Sequence, residues 1–204
     1  DIAGVQKGAD NVVVGTTVRA HNVIAFNTGP GISLDSVAGS GNAILGNSTY
    51  SNTGLRIDLS ADGVTANDAG DPDSGANDLQ NFPVLSKVVT TGNVVAITGT
   101  LNSTAHSYFR IEFFASPSAD GTGNGQGHTC LGFANVATDA SGNATFDTTI
   151  TAPVFVGALI SATATRATNT YATFTDTSEF AENVTAALAP YSLRSTLALD
   201  MPTE

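Results

Sequence analysis

The fold is decided by the stretch Asn22-Val-Ile-Ala-Phe-Asn-Thr-Gly-Pro-Gly-Ile-Ser-Leu34, which is repeated 25 residues later as Asn47-Ser-Thr-Tyr-Ser-Asn-Thr-Gly-Leu-Arg-Ile-Asp-Leu59. The two copies align two asparagines and two apolar residues: Asn22 with Asn47, Asn27 with Asn52, Ile32 with Ile57 and Leu34 with Leu59. A looser match places residues 11–15 against residues 42–46, at an offset of 31. The first part of the chain is therefore built from repeats of unequal loop length.

Short apolar runs separated by Asn or Gly are typical of a solenoid of short parallel strands, in which the apolar side chains stack inward. Asn suits the corners because it tolerates the left-handed conformation and its side chain can bond to the equivalent residue one coil along. We predict coils of a short parallel β-helix over residues 1–66. The alternative is a meander of antiparallel strands that is merely rich in Asn.

Composition excludes several classes of protein. Of 204 residues, 7 are basic and 18 acidic, which makes the net charge −11, and a chain this acidic repels nucleic acid. No apolar stretch approaches the roughly 20 residues of a membrane-spanning helix, and the first residues do not resemble a signal peptide. Cys130 is the single cysteine, so no intrachain disulfide can form. Few Lys and many Thr, Ser, Asn and Gly residues favour an extracellular or cell-surface location.

An acidic segment follows the repeats. Six of the fourteen Asp residues lie between positions 58 and 78, and no basic residue lies between Arg56 and Lys87. Its pattern Asp-x-Asp-x-Gly-x-Asn-Asp offers oxygen ligands on alternate residues of a loop, which is what a hard divalent cation requires. We predict an exit or cap loop at 67–82 that binds Ca²⁺ through Asp68, Asp71, Asp73, Asn77 and Asp78. The alternative is a solvated acidic linker.

Residues 83–185 show a different β pattern. Short runs such as Val95/Ile97 and Phe109/Ile111/Phe113 alternate with polar neighbours, and glycine-rich turns separate the runs. Six or seven half-buried strands over about a hundred residues indicate a two-sheet sandwich. Residues 186–204 come after this alternating pattern, and we interpret them as a tail or linker. The predicted fold class is therefore all-β.

Specific segments resemble known proteins. The run from Asn22 and the exit segment Gly54-Leu-Arg-Ile-Asp-Leu59 to Gln-Asn-Phe-Pro83-Val-Leu85 are similar to the final coils of bacterial right-handed parallel β-helix proteins of the pectin-lyase-like superfamily. The stretches Ile97-Thr-Gly-Thr100 and Asp176-Thr-Ser-Glu-Phe180 are similar to the immunoglobulin-like module that follows such helices. The resemblance covers residues 8 to 184 and implies a secreted, multi-domain bacterial protein.

An enzyme would need a site on the outer face of the coils. The alternation in Leu55-Arg-Ile-Asp-Leu59 sends Arg56 and Asp58 outward together, beside Ser33 and Asp35 of the neighbouring coil. Such a group could serve a polysaccharide lyase or glycoside hydrolase, with the sandwich as an accessory carbohydrate-binding module. The simpler interpretation is an exposed ion pair, and the chain has no Trp to form a sugar platform.

The main functional prediction is therefore a non-catalytic structural or adhesive protein of the bacterial surface, stabilised by calcium. The solenoid has no helix to cover its open end, so its strands should pair with something else. We predict head-to-tail self-assembly into filaments, in which the tail adds as a strand through Leu193, Leu197 and Leu199. Other surface proteins and polysaccharide are further possible partners, whereas nucleic acid and a membrane span are not expected.

Overall fold

The computed structural model describes residues 12–14, 21–119 and 121–190, and in this part the regular secondary structure is almost entirely β-strand. The all-β prediction is confirmed. Six short strands come first: β1 (Val12–Val14), β2 (Val23–Ala25), β3 (Ile32–Asp35), β4 (Ala43–Leu45), β5 (Ser48–Tyr50) and β6 (Ile57–Ser60). A 3₁₀ turn at Ala76–Leu79 lies between them and the longer strands that follow.

The first six strands, which we call the parallel region, form three parallel pairs: β1 with β4, β2 with β5 and β3 with β6. In the third pair Ile32 lies opposite Ile57 and Leu34 opposite Leu59, as the repeat predicts. All four side chains are buried because they point to the same interior. Stacking of like apolar residues is what holds such short strands together.

Asparagine side chains link the two copies of the repeat at their corners. The Nδ2 of Asn22 donates to Oδ1 of Asn47 at 2.9 Å, and the Nδ2 of Asn27 donates to Oδ1 of Asn52 at 2.8 Å. The Nδ2 of Asn52 in turn donates to the carbonyl of Ile24 at 3.0 Å. The predicted bond between equivalent asparagines is confirmed.

The remaining strands, which we call the two-sheet region, are β7 (Val84–Thr90), β8 (Val94–Asn102), β9 (Tyr108–Ser116), β10 (Thr129–Ala137), β11 (Asn143–Thr151), β12 (Leu159–Ala167), β13 (Phe174–Thr177), β14 (Val184–Thr185) and β15 (Ala187–Leu188). One sheet has the order β11-β8-β7-β15, and the other β10-β9-β12-β13 with β14 also paired to β12. The pairs are antiparallel except β15 with β7. Strand β15 therefore extends the first sheet past the predicted end of the unit at residue 185.

The two sheets bury a common core. Phe109, Ile111 and Phe113 point from β9 towards Val95 and Ile97 of β8, as their alternation predicts. Within the described chain this is the larger of two apolar clusters, because both long sheets contribute to it. All of its buried members belong to the two-sheet region.

The second cluster forms a seam between the parallel region and the outer face of the five-stranded sheet. Phe114 of β9 and Phe180 pack there, with ring centroids 5.1 Å apart, against Ile44, Ile57 and other apolar residues of the parallel strands. The five-stranded sheet is therefore covered on both faces over this part of its length. Its β12 side chains on that face are small and polar: Ser161, Thr163 and Thr165.

Polar side chains of the two-sheet region satisfy backbone amides of the last parallel strands across the seam. The amide of Ile44 donates to Oγ1 of Thr177 at 2.8 Å, and that of Gly46 donates to Oε2 of Glu112 at 2.8 Å. The amides of Leu59 and Thr65 donate to the two carboxylate oxygens of Glu179, at 2.8 and 2.9 Å. Backbone N–H groups of the parallel region that would otherwise lack partners thus donate to side-chain oxygens of the two-sheet region.

Candidate metal centre

Three carboxylates meet in the segment that leads from the parallel region to the two-sheet region. One oxygen from each of Asp68, Asp71 and Asp73 lies within 4.8 Å of the others. We call these residues the acidic triad. They are the first three of the five residues predicted as ligands from the sequence.

Asn81 holds this segment in a folded-back conformation. Its Oδ1 accepts from the amide of Asp68 at 3.1 Å, and its Nδ2 donates to the carbonyl of Asp68 at 2.7 Å. The same Nδ2 donates to the carbonyl of Asn102 at 3.0 Å, and Oδ1 of Asn102 accepts from the amide of Gly70 at 2.8 Å. The triad is therefore anchored to the end of β8 rather than to a free loop.

Asp71 is the most enclosed member of the triad. Its Oδ2 accepts from the Ser103 hydroxyl, and its Oδ1 accepts from the amide of Asn81 at 3.1 Å. Burial raises the pKa of Asp71 to about 6 although both hydrogen bonds lower it, and the neighbouring charges of Asp73 and Asp68 raise it further. Asp71 also has φ of +59°, a conformation that costs energy outside glycine.

Two carboxylate oxygens of the triad lack a partner. Oδ1 of Asp68 and Oδ1 of Asp73 are buried from solvent and make no hydrogen bond. Burial, followed by the charge of Asp68, raises the pKa of Asp73. Buried acceptors without a donor are destabilising, and three carboxylates without a basic neighbour repel one another. A hard divalent cation would relieve both costs at once.

The other two predicted ligands lie elsewhere. Asn77 is fully buried, and its amide is used by the protein: Oδ1 accepts from the backbone and side-chain nitrogens of Asn42, and Nδ2 donates to the carbonyls of Asn42 and Thr177. Asp78 is exposed, and burial together with the charge of Asp176 raises its pKa. Asn77 and Asp78 both have left-handed backbones in the 3₁₀ turn, and Asp78 is not among the carboxylates that come within 4.8 Å of one another.

Sequence reasoning missed the residues that position the triad. Asn81 and Ser103 are polar residues beside the exit segment and the end of β8, and both are buried. The signal in the sequence is the run Gln80-Asn81-Phe82-Pro83, where two side-chain amides come shortly before a proline that directly precedes strand β7. Their partners could not be read from it because Ser103 lies 32 positions from Asp71.

The expected outward pair on the coils is also corrected. Arg56 is 2% exposed, and its Nη1 donates to the carbonyls of Asn52 and Gly54 at 2.6 and 2.5 Å. Asp58 is buried opposite Ser33, and its Oδ1 accepts from the amide of Gly63 at 3.3 Å. Strand β6 begins only at Ile57, so the alternation of a strand does not apply to Arg56.

The three tail residues proposed for assembly, Leu193, Leu197 and Leu199, lie outside the described residues. In the part of the chain that is described, no helix has the length and apolar character needed to cross a membrane. No protein-family model matches the sequence, and no curated protein matches it either.

Proposed function

We propose that this chain is a non-catalytic structural or adhesive module of an extracellular or cell-surface bacterial protein, and that Ca²⁺ bound by Asp68, Asp71 and Asp73 stabilises it. The observation that carries the proposal is the pair of buried, partnerless carboxylate oxygens at the point where the parallel region ends. A cation there would tie the exit segment to the end of β8 through Asp71 and Ser103.

Two features support a short right-handed β-helix followed by an immunoglobulin-like sandwich as the fold of this module. The repeat brings like residues opposite each other in parallel pairs, and two antiparallel sheets share one core. Both features agree with the resemblance of the exit segment to bacterial β-helix proteins. In such an architecture the acidic segment would act as the cap of the last coil.

Calcium fits the triad better than magnesium or zinc. All ligand atoms offered are oxygens, which suit calcium better than zinc because most zinc sites contain nitrogen or sulfur ligands. The loop also has the irregular backbone that calcium tolerates. Magnesium demands near-ideal octahedral geometry, whereas calcium accepts six to eight oxygens that backbone carbonyls and water can complete.

Calcium should raise the melting temperature of the protein. Extracellular calcium modules bind with dissociation constants of about 10⁻⁴–10⁻³ M, so about 5 mM calcium should add roughly 1–2 kcal/mol, or roughly 2–8 °C. Asp73→Asn should abolish this shift, whereas Asp147→Asn, an exposed carboxylate on β11, should leave it intact. Differential scanning calorimetry in calcium and in chelator measures both.

For Asp73→Asn, the melting temperature relative to the wild type should also change direction between chelator and calcium. In chelator Asp73→Asn should melt at or above the wild type, because it removes a repulsive charge, whereas in calcium it should melt below it. The shift should shrink from pH 7.5 to pH 5, because a proton on Asp71, whose pKa is raised to about 6, competes with the cation. Equal shifts in wild type and Asp73→Asn would contradict the proposal.

Head-to-tail assembly remains part of the proposal. Among the described residues β2 and β3 pair on one side only, and Val23, Phe26 and Val37 are exposed beside them. A second copy could cover these strands through its tail. Deletion of residues 191–204 should convert assemblies into monomers in sedimentation velocity, and a full chain that stays monomeric well above micromolar concentration would refute the assembly.

The alternative of a polysaccharide lyase or hydrolase fragment gains no support from the coils. Its candidate base, Arg56, is enclosed by the carbonyls of Asn52 and Gly54, and Asp58 is buried beside it in the chain. A polymer lying on the outer face would reach neither group in this conformation.

A further inference from the structure

The outer side of strands β2 and β5 leaves aromatic surface uncovered. In the register of β2 with β5, Ala25 lies opposite Tyr50, and Val23 occupies the same face because side chains alternate along a strand. Ala25 carries only a methyl group, so the Tyr50 ring remains partly exposed. Phe26 follows at the corner of the coil and is 76% exposed. Its backbone is left-handed, as is that of the equivalent Ser51, so this conformation belongs to the corner of the repeat.

Three rings form a bent row on this side of the molecule. The ring centroids of Phe26 and Tyr50 are 5.8 Å apart with their planes at 81°, and those of Tyr50 and His128 are 4.5 Å apart with their planes at 48°. His128 directly precedes β10, and its carbonyl accepts from the hydroxyl of Ser48 at 2.6 Å. The row therefore joins the parallel region to the two-sheet region and is held by a bond between them.

An open cleft of about 300 Å³ lies beside the row, between β2, β5 and the start of β10. The rings of Tyr50 and His128 line it together with the side chain of Val23 and the small residues Ser48 and Thr129. None of the described residues that line it is a lysine, arginine, aspartate or glutamate. This volume is at the lower end of the range for ligand pockets, so the cleft suits a small ligand.

The nearest negative charge lies behind the wall of this cleft. The amide of Gly46, which lines the cleft, donates to Oε2 of Glu112 at 2.8 Å. Burial, followed by the charge of Glu112, raises the pKa of the Cys130 thiol to about 12, so this lining residue stays neutral. Arg110 on the same strand offsets part of the charge of Glu112. The whole chain carries −11, which attracts cations and repels anions.

We propose that this cleft binds a trimethylammonium group, carried by a small free compound such as choline. Such a group spreads its positive charge over methyl surface, which packs against ring faces by cation–π attraction. The steep angles between the three rings allow more than one of them to contact the same group. A primary ammonium brings three N–H donors and a tight hydration shell, and rings can replace neither the acceptors nor the water.

This inference is independent of the calcium proposal, because none of these residues belongs to the acidic triad. It is also independent of assembly, in which the tail would pair with strand backbones rather than with the rings. The test therefore uses excess chelator and follows individual residues of the full chain.

The test titrates choline into the full chain at a constant ionic strength of about 0.15 M and follows NMR chemical shifts. The shifts should map to Val23, Tyr50 and His128. Neohexanol, the uncharged carbon analogue of choline, should bind at least about fivefold more weakly, because it has the shape without the charge. Phosphocholine should also bind more weakly than choline, because the acidic chain repels its phosphate.

Tyr50→Leu removes the central ring and should weaken choline binding at least about fivefold. Phe155→Leu is the matched control, since it removes a ring that is 80% exposed in the turn before β12, and it should leave the affinity unchanged. His128→Gln provides a second variant if Tyr50→Leu does not fold, because His128 is exposed. It should weaken binding severalfold while the melting temperature stays close to that of the wild type.

Three results would overturn the inference: equal binding of neohexanol and choline, unchanged affinity in a folded Tyr50→Leu or in His128→Gln, or no shifts at tens of millimolar choline. Phosphocholine that binds as tightly as choline would contradict a free compound as the source of the group.

Discussion

Replacing Asn77 by alanine is expected to lower the free energy of unfolding by about 3 kcal/mol, because several buried hydrogen bonds lose one partner at once. The Oδ1 of Asn77 accepts from the backbone and side-chain nitrogens of Asn42 at 2.9 and 3.0 Å. Its Nδ2 donates to the carbonyls of Asn42 and Thr177 at 2.8 and 3.0 Å. One amide therefore joins the turn, the parallel region and β13.

Urea unfolding in chelator and in calcium measures this loss of stability. Comparing the two conditions distinguishes a structural role of Asn77 from a role as a calcium ligand. The loss should be the same in both conditions, because the amide binds protein groups and not the cation. Asn135→Ala, an exposed asparagine on β10, is the matched control and should cost less than about 0.5 kcal/mol. A loss that appears only in calcium would restore Asn77 as a metal ligand and contradict the structural role.

Phe114→Ala should produce the largest effect, a loss of roughly 3–5 kcal/mol, which is typical of a buried phenylalanine replaced by alanine. The ring is buried in the seam, in T-shaped contact with Phe180, and lines the same small void as Ile44 and Ile57. Its removal leaves a cavity between the parallel region and the sheet that neither can fill without moving.

Phe155→Ala is the matched control, since that ring is 80% exposed in the turn before β12 and should cost less than about 1 kcal/mol. Chemical unfolding measured by fluorescence and by circular dichroism gives both values. If the seam is a real core, wild type should unfold in one transition by both probes. A cost for Phe114→Ala as small as that for Phe155→Ala would show that the two regions do not depend on each other.

Local patterns were sufficient to predict several elements of this fold. The offset of 25 residues predicted that Ile32 pairs with Ile57, and the register of β3 with β6 has that pairing. The alternation Phe109/Ile111/Phe113 predicted which side of β9 enters the core. Periodicity carries this information because the side chains of a strand alternate strictly between two faces.

Partners across the seam could not be predicted in this way. Leu59 donates to Glu179, which is 120 positions away, and Gly41 donates to Asp176, which is 135 positions away. Burial raises the pKa of the Glu179 carboxyl to about 7, and the charges of Asp58 and Asp62 raise it further. The hydrogen bonds from the amides of Leu59 and Thr65 act in the opposite direction and lower this pKa. Nothing near Glu179 in the sequence distinguishes it from a surface carboxylate.

The same distinction holds for the candidate metal site: local sequence indicated some of its residues, and only the structure showed the partners of the others. The acidic pattern indicated Asp68, Asp71 and Asp73 correctly as neighbours, because residues two or three apart in one short segment can converge. It did not indicate Asn81 and Ser103, which hold the segment in place. It could not exclude Asn77, whose amide is taken by Asn42 and Thr177. It could not reveal the hydrogen bond between Asp71 and Ser103 either, since Ser103 lies 32 positions away.

The sequence by itself determined the all-β class, the pairing of the repeats and the corner asparagines, because these follow from residue periodicity and from the conformational preferences of Asn and Gly. Only the tertiary structure decided which polar groups are buried and what they bind. Arg56 shows the reason: alternation placed it outside, but the chain turns before β6 and carbonyls of its own corner enclose it. Desolvation and hydrogen bonding depend on every group that packs around a side chain, and most of those groups lie far away in the sequence.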